Sequence, residues 1–243
     1  MKYRKILNSM LITFLGVVIS LSSYIISLIK VKNYYENDYS MFQSIDIINT
    51  IFISKNYKAI DYLDNKDVML LLIPISFLFI GFIIGAMSFL SKPKEYNCFV
   101  CARAKTYSKS MKFIYGKPIV RILIYSISYF LTLILIFSKN YGFETNIFVN
   151  LCSLCISRIL IIMFTIRLSF VIFKSFQSST AVVCGLITII LLYLLNMSLT
   201  EINLVLFNPN IYSVLNIPII LCLIIITKVI ERIINHRRNF YVY

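Results

Sequence analysis

Six long apolar runs constrain this chain more than any other feature of its sequence. They cover residues 7–29, 68–90, 119–137, 147–166, 181–197 and 211–228. A helix of about 20 apolar residues crosses the hydrocarbon core of a bilayer, so each run has roughly the length of one span. Hydrophobic residues make up 59% of the chain, whereas soluble domains contain about 45–50% apolar residues. The sequence therefore predicts an all-α polytopic membrane protein, with six transmembrane helices in a single domain over residues 1–243.

The positive charges are distributed unevenly between the two sides of this predicted topology. The formal net charge is +14, and the excess lies in the N-terminus, the second loop, the fourth loop and the C-terminus, whereas the remaining loops are slightly acidic. Loops rich in lysine and arginine stay in the cytoplasm, so we expect both termini and the second loop to be cytoplasmic. Because topology explains the charge, we do not expect nucleic-acid binding. The high content of Ile, Asn, Lys and Tyr is typical of proteins encoded by AT-rich bacterial genomes. We therefore expect a multi-pass protein of a bacterial cytoplasmic membrane.

The second loop, residues 91–117, is a strongly basic segment with the sequence SKPKEYNCFVCARAKTYSKSMKFIYGK. Tyr96, Phe99 and Val100 stand at i, i+3 and i+4, so they share one side of a short helix. Arg103 and Lys105 follow them directly. A short basic helix with an aromatic tip, held between two spans, indicates a contact with a partner protein.

Arg158 is the only charged residue well inside a predicted span. Placing an arginine there costs about 2.5–3.5 kcal/mol on insertion scales, so it should face the bundle or a water-filled path. The spans offer it no acidic partner. Two interpretations remain open, contact with an anionic substrate or lipid headgroup, and snorkelling toward the cytoplasmic face. Gly81, Gly85 and Ser88 form a separate stripe of small residues, which favours close helix packing, at a subunit interface or elsewhere.

Two C-x-x-C pairs, Cys98/Cys101 and Cys152/Cys155, raise the question of metal or redox chemistry. A four-thiolate zinc site would join the pairs, but the predicted topology places them on opposite sides. A membrane thiol oxidase working through Cys152 and Cys155 would need a second redox pair outside, and the outer loops contain no cysteine. The spans contain no paired carboxylates and the only histidine, His236, lies in the C-terminal tail. We therefore predict no metal site, no catalytic residue and a protein that is not an enzyme.

Several local features carry narrower expectations. Residues 41–52 place apolar side chains at helical spacing, which predicts a short helix lying in the outer interface. The fourth run stays apolar past Arg167 to Phe173, which indicates a longer or a broken helix. Pro218 lies inside the sixth run, where we expect a kink. Residues 201–207 are compatible with a second interfacial or re-entrant helix, or with a plain apolar loop.

The order of these parts resembles the ABC type 2 permeases, the membrane subunits of ATP-binding-cassette exporters. The resemblance is carried by six spans with both ends inside, a sizeable first outer loop and the basic second loop. Within that loop the matching residues are Glu95, a short apolar helix, Arg103-Ala104-Lys105, Ser108-Lys109 and Tyr115-Gly116-Lys117. The cysteines at the start of the segment depart from the acidic and glycine residues that are usual in the family. Gly116-Lys117 is followed by Pro118, so no phosphate-binding loop is present in this chain.

This resemblance implies that residues 96–103 form a coupling helix seated on a cytoplasmic ABC ATPase dimer. Tyr96, Phe99 and Val100 would fill a groove on the ATPase, and Arg103 and Lys105 would meet acidic residues at its rim. ATP and Mg²⁺ would be bound by that partner and not by this chain. A second permease copy or a paralogue would complete the exporter, in contact with membrane lipid, and the cargo would be an amphipathic molecule. A peptide is the first expectation, as in lantibiotic immunity or the export of phenol-soluble modulins. The alternatives are a non-transporting sensor, immunity or scaffold protein, and the thiol oxidase.

Overall fold

The computed structural model describes residues 2–35, 44–52, 68–90, 103, 107–142, 145–198 and 216–237. These residues are helical throughout apart from short turns, and they contain no strand. The helices are α1 (Lys2–Tyr35), α2 (Ser44–Phe52), α3 (Val68–Leu90), α4 (Tyr107–Tyr141), α5 (Thr145–Ser175), α6 (Ser178–Ser198) and α7 (Asn216–Arg237). The prediction of an all-α chain is confirmed for the described residues.

Four of these helices contain a segment long and apolar enough to cross a membrane. The segments are Ile6–Asn33 in α1, Lys112–Tyr141 in α4, Leu151–Lys174 in α5 and Ser178–Leu195 in α6. Helix α3 contributes a shorter apolar segment, Leu72–Ser88. These helices indicate a membrane protein, as the hydropathy of the sequence predicts. The count of six spans and the cytoplasmic placement of the termini stay predictions.

The burial pattern of α1 shows which side of a helix faces the bundle. Its buried face carries small and polar residues, Gly16, Ser20, Ser23 and Ser27 among them. Its exposed face carries large apolar side chains, including Leu11, Phe14, Val18 and Ile25. In water this arrangement would leave apolar surface unburied, whereas in lipid the small residues let helices approach closely and the apolar face is solvated. The fold of α1 is therefore suited to a bilayer.

Helices α4 and α5 extend beyond the apolar runs that predict them. Helix α4 begins at Tyr107 and not near residue 119. Gly116 and Lys117, which the sequence places in a loop, are therefore part of the helix. Pro118 lies in the interior of α4, where it lacks the N–H for one helical hydrogen bond and its ring crowds the carbonyl group of Ile114. Helix α5 is continuous from Thr145 to Ser175, so the fourth run forms a longer helix and not a broken one. Hydropathy measures the apolar core of a helix, and polar residues extend the same helix at its ends.

The expected kink at Pro218 is wrong. Helix α7 begins at Asn216, so Pro218 lies in its first turn. A backbone N–H in the first turn has no partner within the helix, so proline costs nothing there. The proline therefore marks the start of α7 and does not bend it.

Helix α5 is at the centre of the bundle, where it packs against α3, α4, α6 and α7. Helix α1 packs along α4, and α2 packs against α1 and α3.

Two polar contacts define the two ends of the bundle. Lys174 Nζ lies 3.1 Å from Glu231 Oε1 at what we call the basic end. At the opposite end, the amide of Asn140 donates a hydrogen bond to the Tyr24 hydroxyl at 3.0 Å.

Helix α2 does not lie in the interface, so that prediction is wrong. Its described side chains, from Asp46 to Phe52, are all buried, and Ile47, Ile51 and Thr50 are completely so. An interfacial helix keeps one polar face in water, whereas α2 has apolar residues on more than one side and inserts between other helices. The apolar spacing that suggests an interfacial helix is equally satisfied by a helix buried within the bundle.

Candidate functional site

Helix α5 carries Arg158 into the interior of the bundle. Its side chain is 1% exposed, which makes it the largest fully buried side chain among the described residues. The guanidinium does not reach the protein surface, and this position contradicts the snorkelling interpretation. Arginine is found buried in this way almost only where it meets an anion or an extended set of polar groups.

Aromatic rings from three helices form one wall around Arg158. The Cζ atom of Arg158 lies 5.7 Å from the ring centroid of Phe52 in α2, a cation–π contact. Phe52 stacks on Phe130 of α4 with ring centroids 5.8 Å apart. Phe77 of α3 contacts Tyr129 and Tyr125 of α4 at centroid distances of 4.5 and 5.1 Å. Helix α2 therefore contributes to the wall because it is buried and not interfacial.

Two tyrosine hydroxyl groups lie near this arginine. Tyr129 of α4 and Tyr193 of α6 both lie near enough to Arg158 to interact with it electrostatically. The Tyr129 hydroxyl is in turn within hydrogen-bonding reach of Ser23 of α1. These contacts bring five helices, α1, α2, α4, α5 and α6, to one buried polar site.

The charge of Arg158 is not balanced by a carboxylate among the described residues. Neither Nη1 nor Nη2 has a hydrogen-bond partner in that part of the chain. The buried Oδ1 of Asn49 in α2 and Oγ of Ser126 in α4 are likewise without a partner there. Leaving a buried polar group unpaired costs about 1–3 kcal/mol, and more for a charged group. A planar guanidinium with free donors is suited to bidentate binding of a carboxylate or a phosphate.

The stripe of small residues in α3 packs within this chain. A Cβ atom added to Gly81 would lie 2.6 Å from Ile162 Cδ1 of α5 and 3.3 Å from the Tyr125 ring. A Cβ atom at Gly85 would lie 3.1 Å from Ile122 of α4. Ser88 turns back onto its own helix, where its hydroxyl donates to the Gly85 carbonyl at 2.7 Å. The glycines therefore allow α3 to approach α4 and α5 closely.

Most of the predicted ATPase contacts lie outside the described residues. This applies to Tyr96, Phe99, Val100 and Lys105, for which the coupling role stays a prediction. Arg103 is described as helical and exposed. The structure begins to describe the segment continuously at Tyr107, where α4 starts.

The cysteines that the structure describes are not joined by disulfides. Cys152 and Cys155 lie one turn apart on α5 as free, partly buried thiols. Cys98 and Cys101 lie outside the described residues. Within the described part of the chain, no cluster of three or more His, Cys, Asp or Glu side chains is present. Nothing in this geometry favours a thiol oxidase over small helix-packing cysteines.

A second charged cluster, which sequence reasoning missed, lies at the basic end. Glu231 of α7 is completely buried and pairs with Lys174 of α5 at 3.1 Å. Its Oε2 lies 3.5 Å from Arg167 Nε, which is an ion pair without a hydrogen bond. Arg167 also lies over the Tyr115 ring at 5.2 Å, and Lys174 lies over the Phe170 ring at 4.6 Å. The one available signal was that Glu231 is a lone acid among basic residues.

Comparison with known proteins identifies no relative of this chain. No protein-family model matches it, and no curated protein or solved structure is significantly similar to it. The case for a function therefore rests on the residues and their arrangement.

Proposed function

We propose that this chain is the membrane permease subunit of an ATP-driven exporter similar to the ABC type 2 permeases. It would move an amphipathic substrate outward, with a peptide as the first candidate, and a separate ATPase would supply the energy. The observation that carries the proposal is the continuity of α4. This helix runs unbroken for 35 residues from Tyr107, within the basic segment 91–117, to Tyr141 at the opposite end.

Helix α4 connects the predicted coupling segment to the buried arginine. From Tyr107 to Tyr129 the helix rises about 33 Å at 1.5 Å per residue. Tyr129 lies beside Arg158, and α4 packs against α1, α3 and α5 along the way. A rigid helix displaced at its first turn moves at its middle as well. Movement of residues 91–106 by an ATPase would therefore reach the Arg158 site directly.

The chemistry of the Arg158 site is suited to an amphipathic cargo with an anionic group. The guanidinium offers donors for a carboxylate or phosphate, and the rings of Phe52 and Phe77 offer an apolar surface. Tyr129 and Tyr193 bring neutral hydroxyl groups near the arginine, and among the described residues no carboxylate pairs with it to compete with the cargo. A non-transporting scaffold or sensor would use the same basic segment, but it would give the buried charge no role.

The first experiment tests the coupling segment. The chain is expressed with an affinity tag in its native host, and any ATPase that co-purifies with it is measured. Phe99→Asp should reduce ATPase recovery at least tenfold while membrane insertion is unchanged. Tyr3→Asp is the matched control, because it also replaces an aromatic residue with aspartate, at an exposed position of α1. Recovery of the ATPase at the wild-type level with Phe99→Asp would contradict the proposal.

The second experiment tests the substrate site in the same complex. Substrate-stimulated ATP hydrolysis is measured for Arg158→Gln with candidate amphipathic peptides. We expect basal hydrolysis to remain and stimulation to be lost. Stimulation should fall less for Arg158→Lys, which keeps the charge but not the bidentate donors. Unchanged stimulation in Arg158→Gln would exclude the arginine as the cargo contact.

A further inference from the structure

The basic end of the bundle contains a groove that the exporter proposal does not use. It has a volume of about 380 Å³ and lies over α5, between α4 and α7. Helix α5 packs against both neighbours, and the groove follows the gap that they leave. Its volume is within the range of small-molecule pockets, roughly 300–1,000 Å³.

The walls of this groove are apolar and its rim is cationic. The apolar lining includes Tyr115, Ile119, Ile122, Met163, Ile166 and Ile224. Lys112 of α4, Arg167 of α5, and Lys228 and Arg232 of α7 also line it, and no carboxylate does so among the described residues. The nearest acid, Glu231, is completely buried and paired with Arg167 and Lys174. The groove therefore presents cations to any occupant.

One of these cations, Arg167, is not explained by topology alone. The positive-inside rule concerns residues in loops and at span ends, whereas Arg167 lies seven residues before the end of the Leu151–Lys174 segment. That separation places it about 10 Å along the helix from Lys174. Contacts with Tyr115 and Glu231 hold its side chain at the groove. Arg167 therefore adds a positively charged side chain at a depth that the loop lysines do not reach.

The surroundings of the groove favour a lipid over a soluble anion. Beside it, α4 and α7 expose apolar side chains such as Val120, Ile225 and Val229, which would face acyl chains in a bilayer. A Cβ atom added to Gly116 meets no atom within 4 Å, so the groove has open space along α4. Basic pockets between membrane helices on the cytoplasmic side bind anionic lipid headgroups.

We propose that the groove lined by Lys112, Arg167, Lys228 and Arg232 binds an anionic phospholipid through its phosphodiester headgroup. The upper part of the acyl chains would lie against Ile119, Ile122 and Ile224. Since the lipid bridges α4 and α7, it would also steady the first turns of α4. This site is independent of the exporter proposal, and it is tested by binding alone.

The test uses the absence of tryptophan from the chain. Ile119→Trp places a single reporter in the groove, and Ile127→Trp, at an exposed position two turns further along α4, is the matched control. Each protein is reconstituted in vesicles of phosphatidylcholine in which brominated phosphatidylglycerol or brominated phosphatidylcholine is the quencher. At equal bromolipid content we expect several-fold stronger quenching by phosphatidylglycerol at position 119 and equal quenching at 127. Equal quenching by the two lipids at position 119 would overturn the proposal.

Substitutions of the cations and of Gly116 test whether the groove is responsible for the preference for phosphatidylglycerol. Each cation near the membrane surface contributes about 1 kcal/mol, or roughly fivefold in affinity, so Lys228→Gln with Arg232→Gln should lower the affinity for phosphatidylglycerol about 25-fold and abolish its several-fold quenching preference. Lys139→Gln removes an exposed cation of α4 at the opposite end and should change nothing. Gly116→Leu keeps every cation but fills the groove, and should also abolish the preference. A preference that survives both groove variants would refute the site, and displacement of the bromolipid by an amphipathic peptide would assign the groove to cargo.

Discussion

Helix α5 carries two buried or half-buried arginines nine residues apart, and their surroundings differ sharply. Arg167 has a carboxylate from Glu231 at 3.5 Å and the Tyr115 ring at 5.2 Å. Arg158 has the Phe52 ring at 5.7 Å and neutral tyrosines, and its two Nη atoms have no partner among the described residues. A compensated charge is consistent with a structural role. An uncompensated one costs stability, which suggests that it is retained for binding.

The largest expected effect concerns the compensated cluster. Glu231→Gln leaves Arg167 and Lys174 beside a neutral amide, and removing one partner of a buried ion pair costs about 3–5 kcal/mol. The free energy of unfolding in detergent micelles, from thermal or SDS titration, measures this loss. Lys228→Gln, an exposed neighbour on α7, should change it by less than about 0.5 kcal/mol. A loss equally small for Glu231→Gln would remove the distinction between the two arginines.

The second prediction is that a substitution at Arg158 raises the free energy of unfolding, whereas Glu231→Gln lowers it. Arg158→Met removes the unpaired donors and keeps a long apolar stem, so we expect the free energy of unfolding to rise by about 1–3 kcal/mol. Substrate-stimulated ATP hydrolysis should be lost in the same variant. Arg167→Met should instead destabilise the protein, because it takes a cation from Glu231. Destabilisation by both substitutions would mean that Arg158 is structural as well.

The third prediction compares the packing around the two arginines. A methyl group at Gly81 would collide with Ile162 near Arg158, so Gly81→Ala should destabilise by about 1–3 kcal/mol. Gly116 borders the groove beside Arg167 and has open space for a methyl group. Gly116→Ala should therefore stabilise by about 0.5–1 kcal/mol through helix propensity. The same unfolding titration measures both variants. Equal changes in the free energy of unfolding would show that α3 at Gly81 and α4 at Gly116 are packed equally tightly.

The smallest effect concerns the contact between α2 and Arg158. A double-mutant cycle with Phe52→Leu and Arg158→Met isolates the cation–π term, which should be about 0.5–2 kcal/mol. The matching cycle with Tyr115→Leu and Arg167→Met gives the same term at the compensated site. We expect the coupling at Phe52 to be the larger, because Arg158 has no competing carboxylate. A smaller coupling at Phe52 would place its main role in packing against Phe130.

Properties that depend on single stretches of sequence were determined by the sequence itself. Hydropathy predicts the membrane class, and it gives the bounds of α3, residues 68–90, as the structure has them. The insertion cost of a charge predicts that Arg158 avoids lipid, and the structure places it inside the bundle. These properties are local because each residue meets the bilayer individually.

Properties that depend on which faces meet were decided only by the tertiary structure. The spacing in α2 suits an interface or a buried position, and contact with α1 and α3 selects burial. In the sequence, Glu231 is one acidic residue in a basic tail. Only the packing of α7 on α5 brings it into contact with Lys174 and Arg167. The groove between α4 and α7 exists because both helices pack on α5. Periodicity tells which residues share a side of a helix, but the neighbour of that side comes from packing between segments that are distant in sequence.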